Sequence, residues 1–245
     1  MISLKLFFLR LYKGILILFN LRLLKVFLKY QVMAGVEHNV VLRKENFKTI
    51  IDIGANRGQF SLAASSINKE AIIYAFEPLK KPAEVFKKIF CNYENINLYN
   101  TAIGSSNKTS TIHISNKDDS SSLLEISEVQ LKYHPNTNEV GTQKVNVSKL
   151  NTYIQAPDIS SPALLKIDVQ GFELEALMGA EDLLDKFEYI YCECSYLALY
   201  KDQPLVNDII IFLSKNDFIL SGIYNSQIER GNYIQSDFLF KKNKL

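Results

Sequence analysis

Apolar runs alternate with amphipathic segments along the chain from residue 47 onwards. The runs "KTIIDI", "AIIYAFEP", "INLYNTAI", "ALLKID" and "YIYCECS" are typical of strands. Several of them, such as residues 50–53 and 72–76, are continuous rather than alternating, as expected for strands covered on both faces. The segments "GQFSLAASSIN", "KPAEVFKKIFCN", "GFELEALMGAEDLLDKF" and "PLVNDIIIFLSKN" are predicted helices. Strands that alternate with helices in this way pair in parallel through helical crossovers.

The end of the chain breaks this alternation. "DFILSGIY" and "SDFLFKK" are strand-like and are separated by a turn that contains Gly231, with no clear helix between them. The pattern therefore predicts an α/β fold with a doubly wound, mostly parallel seven-stranded sheet and an antiparallel last strand.

Residues 104–146 interrupt the pattern with a segment rich in Ser, Asn and Thr. Two strand-like pieces within it, 109–115 and 143–147, are predicted to pair as a hairpin. Long loops in compact domains usually carry function or are disordered. We expect an N-terminal extension over residues 1–45 and a catalytic domain over residues 46–245, with the 104–146 insertion shaping the acceptor site.

The first 30 residues carry six Lys and Arg side chains and no acid. Their longest charge-free run, residues 14–21, is eight residues, whereas a membrane span needs roughly 18. Cations interrupt the apolar region, which also disfavours a signal peptide. Two interpretations remain: a pair of helices, broken near Gly14 or Asn20, docked on the domain, or peripheral contact of residues 1–30 with the anionic inner membrane surface.

Composition narrows the functional classes. The 245-residue chain has a formal net charge of +2, too small for a nucleic-acid-binding protein with a concentrated basic face. Cys91, Cys192 and Cys194 cannot all pair, and we interpret Cys192 and Cys194 as reduced core residues of a cytoplasmic protein. A metal site at these two cysteines is a poor interpretation, because no second ligand pair of suitable spacing occurs.

The stretch "IIDIGANRG" places Asp52, Gly54, Asn56 and Gly58 where the first strand turns into a helix. Ligands bind outside the carboxyl ends of parallel strands, and a helix N-terminus favours a carboxylate or phosphate. Glycines allow close approach of the backbone, and Asn tolerates a positive φ. A plain strand-to-helix turn without any ligand is the alternative.

The position of Glu77 supports the interpretation that this turn binds a ligand. Glu77 ends the second strand, 23 residues beyond Gly54, where an acid accepts hydrogen bonds from ribose hydroxyls. Asp52 beside the turn would repel a pyrophosphate but anchor an ammonium group. This combination favours S-adenosylmethionine, and hence methyl transfer, over a dinucleotide.

As a set, "IDIGANRGQFS", "AFEP", "LLKIDVQGFELEALMGAEDLL", "ECSYLALY" and "SDFLF" resemble the FkbM-type methyltransferases of the class I S-adenosylmethionine-dependent superfamily, over residues 49–240. The resemblance implies a Rossmann-like seven-stranded fold and O-methylation of a sugar, glycan or glycosylated metabolite. Ala102, in the third predicted strand, completes the predicted cofactor site. An NAD-dependent oxidoreductase and a non-enzymatic membrane-surface scaffold remain alternatives, and the sequence assigns no oligomeric state.

Three acids are candidates for catalysis. Asp168 ends the fourth predicted strand beside the glycine turn, and we expect it to take the acceptor proton or to orient the acceptor. Glu173 and Glu193 are expected to form an acidic cluster with it, which would raise one carboxyl pKa or hold Mg²⁺. A helix N-terminus for Glu173 and a partly solvated strand end for Glu193 are the structural alternatives. His113 and His134 are alternative bases. Ser121 or Ser122 is expected either against the cofactor or the acceptor, or in a solvated turn that caps a short helix. Lys166 is expected to neutralise Asp168.

Overall fold

The computed structural model describes residues 20–243. Ten strands lie within this range: β1 (Thr49–Ile53), β2 (Ile72–Phe76), β3 (Ile96–Tyr99), β4 (Ala102–Ile103), β5 (Lys108–Ser115), β6 (Glu139–Ser148), β7 (Ala163–Ile167), β8 (Tyr189–Ser195), β9 (Phe218–Glu229) and β10 (Asn232–Lys242). The same range contains seven α-helices: α1 (Leu21–Tyr30), α2 (Asn39–Leu42), α3 (Gln59–Ile67), α4 (Lys80–Phe90), α5 (Glu128–Tyr133), α6 (Glu173–Gly179) and α7 (Val206–Lys215).

Seven of the strands form one sheet in the order β3-β2-β1-β7-β8-β10-β9. The pairs β3–β2, β2–β1, β1–β7 and β7–β8 are parallel. Strand β10 is antiparallel to both β8 and β9. The predicted fold class, with its antiparallel last strand, is confirmed. The strand order reverses between β1 and β7, so their carboxyl ends flank the crevice in which such sheets bind ligands.

The third predicted strand, "INLYNTAI", is not one strand. It is divided into β3, in the main sheet, and β4, in a small sheet of order β4-β6-β5. The polar residues between them redirect the chain: Asn100 Nδ2 donates to the carbonyl of Glu77 at 2.7 Å, and Thr101 Oγ1 to that of Asn146 at 3.0 Å. The predicted hairpin in the insertion is confirmed, because β5 and β6 pair antiparallel.

The helix predicted over "GFELEALMGAEDLLDKF" is also divided. Helix α6 ends at Gly179, and a 3₁₀-helix follows over Glu181–Lys186. A Cβ at Gly179 would lie 2.3 Å from the carbonyl oxygen of Gly104. Glycine is a poor helix former, and this close approach to the start of the insertion requires it.

Apolar side chains cover both faces of the main sheet, as continuous strand patterns predict. One core forms under α1 to α4, and the second forms under α6, the 3₁₀-helix and α7. Cys192 and Cys194 are free thiols buried in the second core. Their predicted burial is confirmed.

Helix α1 packs on the first core through Leu23 and Val26. The side chain of Asn20 accepts hydrogen bonds from the backbone N–H groups of Arg22 and Leu23, so the helix begins at one of the two predicted break points. Arg22 donates to Ser65 Oγ at 2.9 Å and lies 4.4 Å from the ring centre of Tyr93. The other predicted break, Gly14, lies outside the described residues. Within 20–243, none of the helices has the length and apolar character that crossing a membrane requires.

Candidate active site

A cavity of about 360 Å³ opens at the carboxyl ends of β1, β2 and β7. Its volume is in the range of small-molecule sites. The lining combines the glycine turn, the ends of these strands and the insertion. Of the residues predicted to bind the cofactor, those on the lining are Gly54, Asn56, Glu77 and Ala102.

The glycine turn is held close to the end of β7. Gly54 has φ +81°, and a Cβ there would lie 1.8 Å from the Asp168 carbonyl oxygen. Asn56 also has a positive φ, of 47°. Gly58 is not on the lining: a Cβ there would lie 2.6 Å from the ring of Phe90. It therefore allows α3 to pack against α4.

The Glu77 carboxylate joins the ends of the first two strands. Oε2 accepts a hydrogen bond from the backbone N–H of Asn56 at 2.9 Å, and Oε1 accepts one from Leu79 at 2.8 Å. Burial raises the pKa of this carboxyl to about 7. Each carboxylate oxygen retains acceptor capacity, so Glu77 is able to bind hydroxyl groups in the cavity while it holds the turn.

Asp52 is not on the lining, which corrects the expectation that it anchors an ammonium group of the ligand. It is fully buried behind the cavity, where Ser61 donates to Oδ2 at 2.7 Å and Lys166 Nζ lies 3.0 Å from Oδ1. Its partner is thus an ammonium group of the protein itself.

Lys166 connects the glycine turn to β7. Its ammonium group donates to the Gly54 carbonyl at 3.1 Å and lies 3.8 Å from Asp168 Oδ2. Burial alone would lower the pKa of Lys166, but Asp52 and Asp168 outweigh it and hold that pKa above its usual value. Lys166 is therefore a permanent cation in the wall of the cavity. Its role extends beyond the predicted neutralisation of Asp168.

Asp168 reaches the cavity, and Gln170 joins it to Glu193. The Gln170 amide donates to Asp168 Oδ1 at 2.9 Å and to Glu193 Oε2 at 3.0 Å. Glu193 also accepts from Gln235 at 2.7 Å. Burial, together with Asp168, raises the pKa of Glu193. Glu193 is not on the lining, and its hydrogen bond from Gln170 connects it to the site.

The three predicted acids lie near one another, and after burial the charges of Asp168 and Glu173 help to raise the pKa of Glu193, but their side chains have different partners. Glu173 Oε1 accepts from the backbone N–H groups of Val169 and Gly171, at 3.1 and 3.0 Å. It stabilises the loop rather than facing the cavity, and burial raises its pKa to about 7. Among residues 20–243, no group of three or more His, Cys, Asp and Glu side chains is suited to hold a metal ion. The arrangement expected for Mg²⁺ is thus not found at these carboxylates.

The insertion closes one side of the cavity. Ser121 and Ser122 lie on the lining, and Ser122 Oγ donates to the Gln170 carbonyl at 2.6 Å. Asp118, also on the lining, pairs with Arg57 of the glycine turn. His113 and His134 are not lining residues, and His113 instead pairs with Glu139 at 2.8 Å.

Gln170 and His38 are among the polar residues of the lining that sequence reasoning missed. Gln170 is in the quoted motif "KIDVQGFE", and its positive φ of 55° marks a strained position of the kind found at functional sites. His38 lines the cavity from the segment before β1. Gln170 could have been found as the polar residue before a turn glycine, whereas no sequence pattern around His38 connects it to the site.

The comparisons with known proteins agree with this geometry. A family model described as the methyltransferase FkbM domain matches residues 52–220. The chain is 26% identical over 202 residues to 2-O-methyltransferase NoeI of Sinorhizobium fredii, covering 80% of each protein. It is 24% identical over 148 residues to Methyltransferase 1 of Beauveria bassiana, covering 54% of this chain and 58% of that protein.

Among solved structures, methyltransferase FkbM from Methylobacillus flagellatus is similar over 81% of this chain, with a TM-score of 0.54 and 14% identity. The match covers 45% of that chain, which is less than half of its length. At this identity the likeness shows the fold, that of a class I methyltransferase.

Replacing Lys166 by Met should lower the free energy of unfolding by about 3–5 kcal/mol, because it leaves the buried Asp52 carboxylate without its cation. The double variant Asp52→Asn/Lys166→Met should lose less. As a matched control, Lys149→Met removes an exposed pair with Asp182 and should change stability by less than about 1 kcal/mol. Urea unfolding measures the stability of all three variants. If Lys166→Met is at least as stable as Asp52→Asn/Lys166→Met, the assignment of the ion pair is contradicted.

Proposed function

This chain belongs to the FkbM methyltransferase family, and we propose that it methylates a hydroxyl group of a sugar, a glycan or a glycosylated metabolite. Membership makes it a methyltransferase and implies S-adenosylmethionine as the donor. This assignment decides against the NAD-dependent oxidoreductase and the non-enzymatic scaffold. Similarity to a protein named as a 2-O-methyltransferase supports an oxygen acceptor, and the sugar follows from the family resemblance.

The observation that carries the proposal is the buried Glu77 carboxylate on the cavity lining. It is held by two backbone N–H groups, and its remaining acceptor capacity suits the two hydroxyls of a ribose. We assign Glu77 to the ribose of S-adenosylmethionine. Ala102, with the apolar Ile103 and Phe172 beside it on the lining, is assigned to the adenine ring.

The amino-acid end of the cofactor is assigned to the start of α3. The first N–H groups of a helix have no intrahelical partner and favour a carboxylate, and Gln59 and Phe60 bring this end of α3 to the lining. Gly54 and Asn56 shape the turn that leads into it. Asp52 and Gly58 contribute from behind the lining, through Lys166 and the packing of α3.

When bound, S-adenosylmethionine supplies the methyl group and a neutral thioether leaving group. Much of the barrier to such a displacement is removed by holding the acceptor in line. We assign Asp168 to the acceptor, because its carboxylate reaches the cavity and is itself fixed by Gln170 and Lys166. In this role it accepts a hydrogen bond from the acceptor hydroxyl.

Cofactor binding should depend on pH through Glu77. The ionised carboxylate accepts ribose hydrogen bonds, so binding releases a proton wherever the carboxyl of the free protein is protonated. With a pKa of about 7, S-adenosylhomocysteine should bind about tenfold more weakly at pH 6 than at pH 8. Titration calorimetry measures this affinity and should show no heat with NAD.

The variant Glu77→Gln should bind S-adenosylhomocysteine at least tenfold more weakly, since a hydrogen bond to a charged group contributes about 1.5–3 kcal/mol. The affinity of Glu77→Gln should also no longer change with pH. The exposed control Glu181→Gln should keep both the affinity of the wild type and its change with pH. If the affinity of Glu77→Gln still changes with pH, another group such as Glu173 is responsible for the pH dependence.

Methyl transfer itself is tested with labelled S-adenosylmethionine and extracted cell-surface saccharides. The wild-type protein should transfer label to a saccharide hydroxyl. Asp168→Asn should lower kcat/KM about 10- to 100-fold, which matches the loss of one charged hydrogen bond, while S-adenosylhomocysteine affinity stays within about threefold. Asp182→Asn, an exposed aspartate outside the lining, is the control. Full turnover in Asp168→Asn would remove Asp168 from the acceptor site.

Peripheral membrane contact of residues 1–30 stays a prediction. On α1, Leu21 and Leu28 are 74% and 66% exposed, and Lys25 and Lys29 are exposed beside them. Vesicles containing phosphatidylglycerol should therefore float the full chain, and neutral vesicles should not. Lys25→Gln/Lys29→Gln should reduce flotation, unlike the exposed control pair Lys144→Gln/Lys215→Gln. Equal flotation of both double variants would contradict contact through this helix.

A further inference from the structure

His38 is held in the cavity wall by a polar network that the proposed function has not used. It ends the 3₁₀-helix Val36–His38 and packs edge-on against Phe60, with ring centres 5.4 Å apart. Its side chain is 18% exposed. The preceding Gly35 fixes this segment, because its N–H donates to the Gln59 carbonyl at the start of α3 at 2.8 Å.

The network behind His38 consists of buried groups of the sheet. Nδ1 of His38 lies 3.1 Å from the Tyr191 hydroxyl and 3.5 Å from Asp237 Oδ2. Tyr191 donates to the same Oδ2 at 2.8 Å, and the Asn225 amide donates to it at 2.7 Å. None of these three partners is on the cavity lining. They therefore act on the cavity only through the His38 ring.

The hydrogen bonds assign the histidine tautomer. A carboxylate only accepts, so the single hydrogen of the Tyr191 hydroxyl points to Asp237. Burial and the nearby Asp237 raise the pKa of Tyr191, so its hydroxyl keeps this hydrogen. The hydroxyl oxygen then accepts from His38, which places a hydrogen on Nδ1. In the neutral ring Nε2 carries a lone pair, and within residues 20–243 no hydrogen bond to Nε2 is found.

His38 shares its part of the wall with the residues assigned to the acceptor. The Phe60 ring that contacts His38 lies 5.5 Å from Lys166 Nζ. Lys166 in turn lies 3.8 Å from Asp168 Oδ2. All four residues line the same cavity. Asp168 is thus beside a permanent cation, whereas the oriented lone pair of His38 has no partner among the described residues.

Building on the proposed function, we propose that Nε2 of His38 is the general base, with Tyr191 and Asp237 as positioning residues. The acceptor O–H bond breaks and its proton passes to Nε2. The oxygen electron pair forms the new bond to the methyl carbon, and the electron pair of the broken carbon–sulfur bond stays on sulfur. The imidazolium formed keeps its Nδ1 hydrogen bond, and Asp237 stabilises its charge. Asp168 holds the acceptor hydroxyl and is not the proton acceptor.

Kinetics test the base. His38→Gln should lower kcat about 10²- to 10⁴-fold, the usual contribution of general base catalysis. Its S-adenosylhomocysteine affinity should stay within about threefold, which shows that it is folded. His113→Gln, the same change outside the lining, should keep full kcat. Added imidazole should restore part of the activity of His38→Ala. A His38→Gln variant with more than a third of wild-type kcat would overturn the proposal.

A second measurement needs neither cofactor nor turnover. In long-range ¹H–¹⁵N spectra of the free protein above pH 8, His38 should show a protonated Nδ1 and a bare Nε2. Tyr191→Phe should shift it towards the Nε2-protonated form and lower kcat more than cofactor affinity. An Nε2-protonated His38 in the wild type would overturn the proposal. If this signature is present but no acceptor is ever methylated, the proposed function fails and the assignment of the oriented base stands.

Discussion

The site depends on one buried cation between two strands. The Lys166 ammonium group joins Asp52 of β1, the Gly54 carbonyl of the glycine turn and Asp168 at the end of β7. A charge in such a place requires partners on every side, because an unpaired buried charge costs several kcal/mol. The position of the turn relative to β7 is therefore fixed before any ligand arrives. The 1.8 Å between a Gly54 Cβ position and the Asp168 carbonyl shows how closely the two segments approach.

The cation belongs to a polar row on the sheet face that is covered by α1 to α4. In register, Asp52 is opposite Lys166, Lys166 is opposite Tyr191, and Asp237 is opposite Glu193 on the next pair of strands. Three members of this row each hold a residue of the lining: Lys166, which is itself at the wall, holds Asp168, Glu193 holds Gln170, and Tyr191 holds His38. Side chains locked in this way from behind lose little freedom when ligands bind, which favours a reaction that needs an in-line geometry.

The sequence predicted what local patterns determine. Strand and helix order, the hairpin of the insertion and the glycine turn all follow from periodicity and turn residues. Glu77 and Asp168 reach the lining because strand ends in a parallel sheet meet at one edge. The role of Asp52 was misjudged because only the cross-strand register shows Lys166 opposite it. Glu173 follows its structural alternative, because it lies at the start of a helix and its partners are backbone N–H groups. His38 was missed because the residues that orient it are distant in sequence. Tyr191 and Asp237 lie 153 and 199 positions further along the chain.

A crystal structure of the protein with S-adenosylhomocysteine tests the central claim most directly: that this cavity binds the methyl donor, with its ribose on Glu77. The account predicts both ribose hydroxyls within about 3 Å of the Glu77 carboxylate. It also predicts the sulfur facing the wall formed by His38 and Asp168, and the carboxylate at the start of α3. A ligand bound elsewhere, or a ribose that makes no hydrogen bond to Glu77, would contradict it.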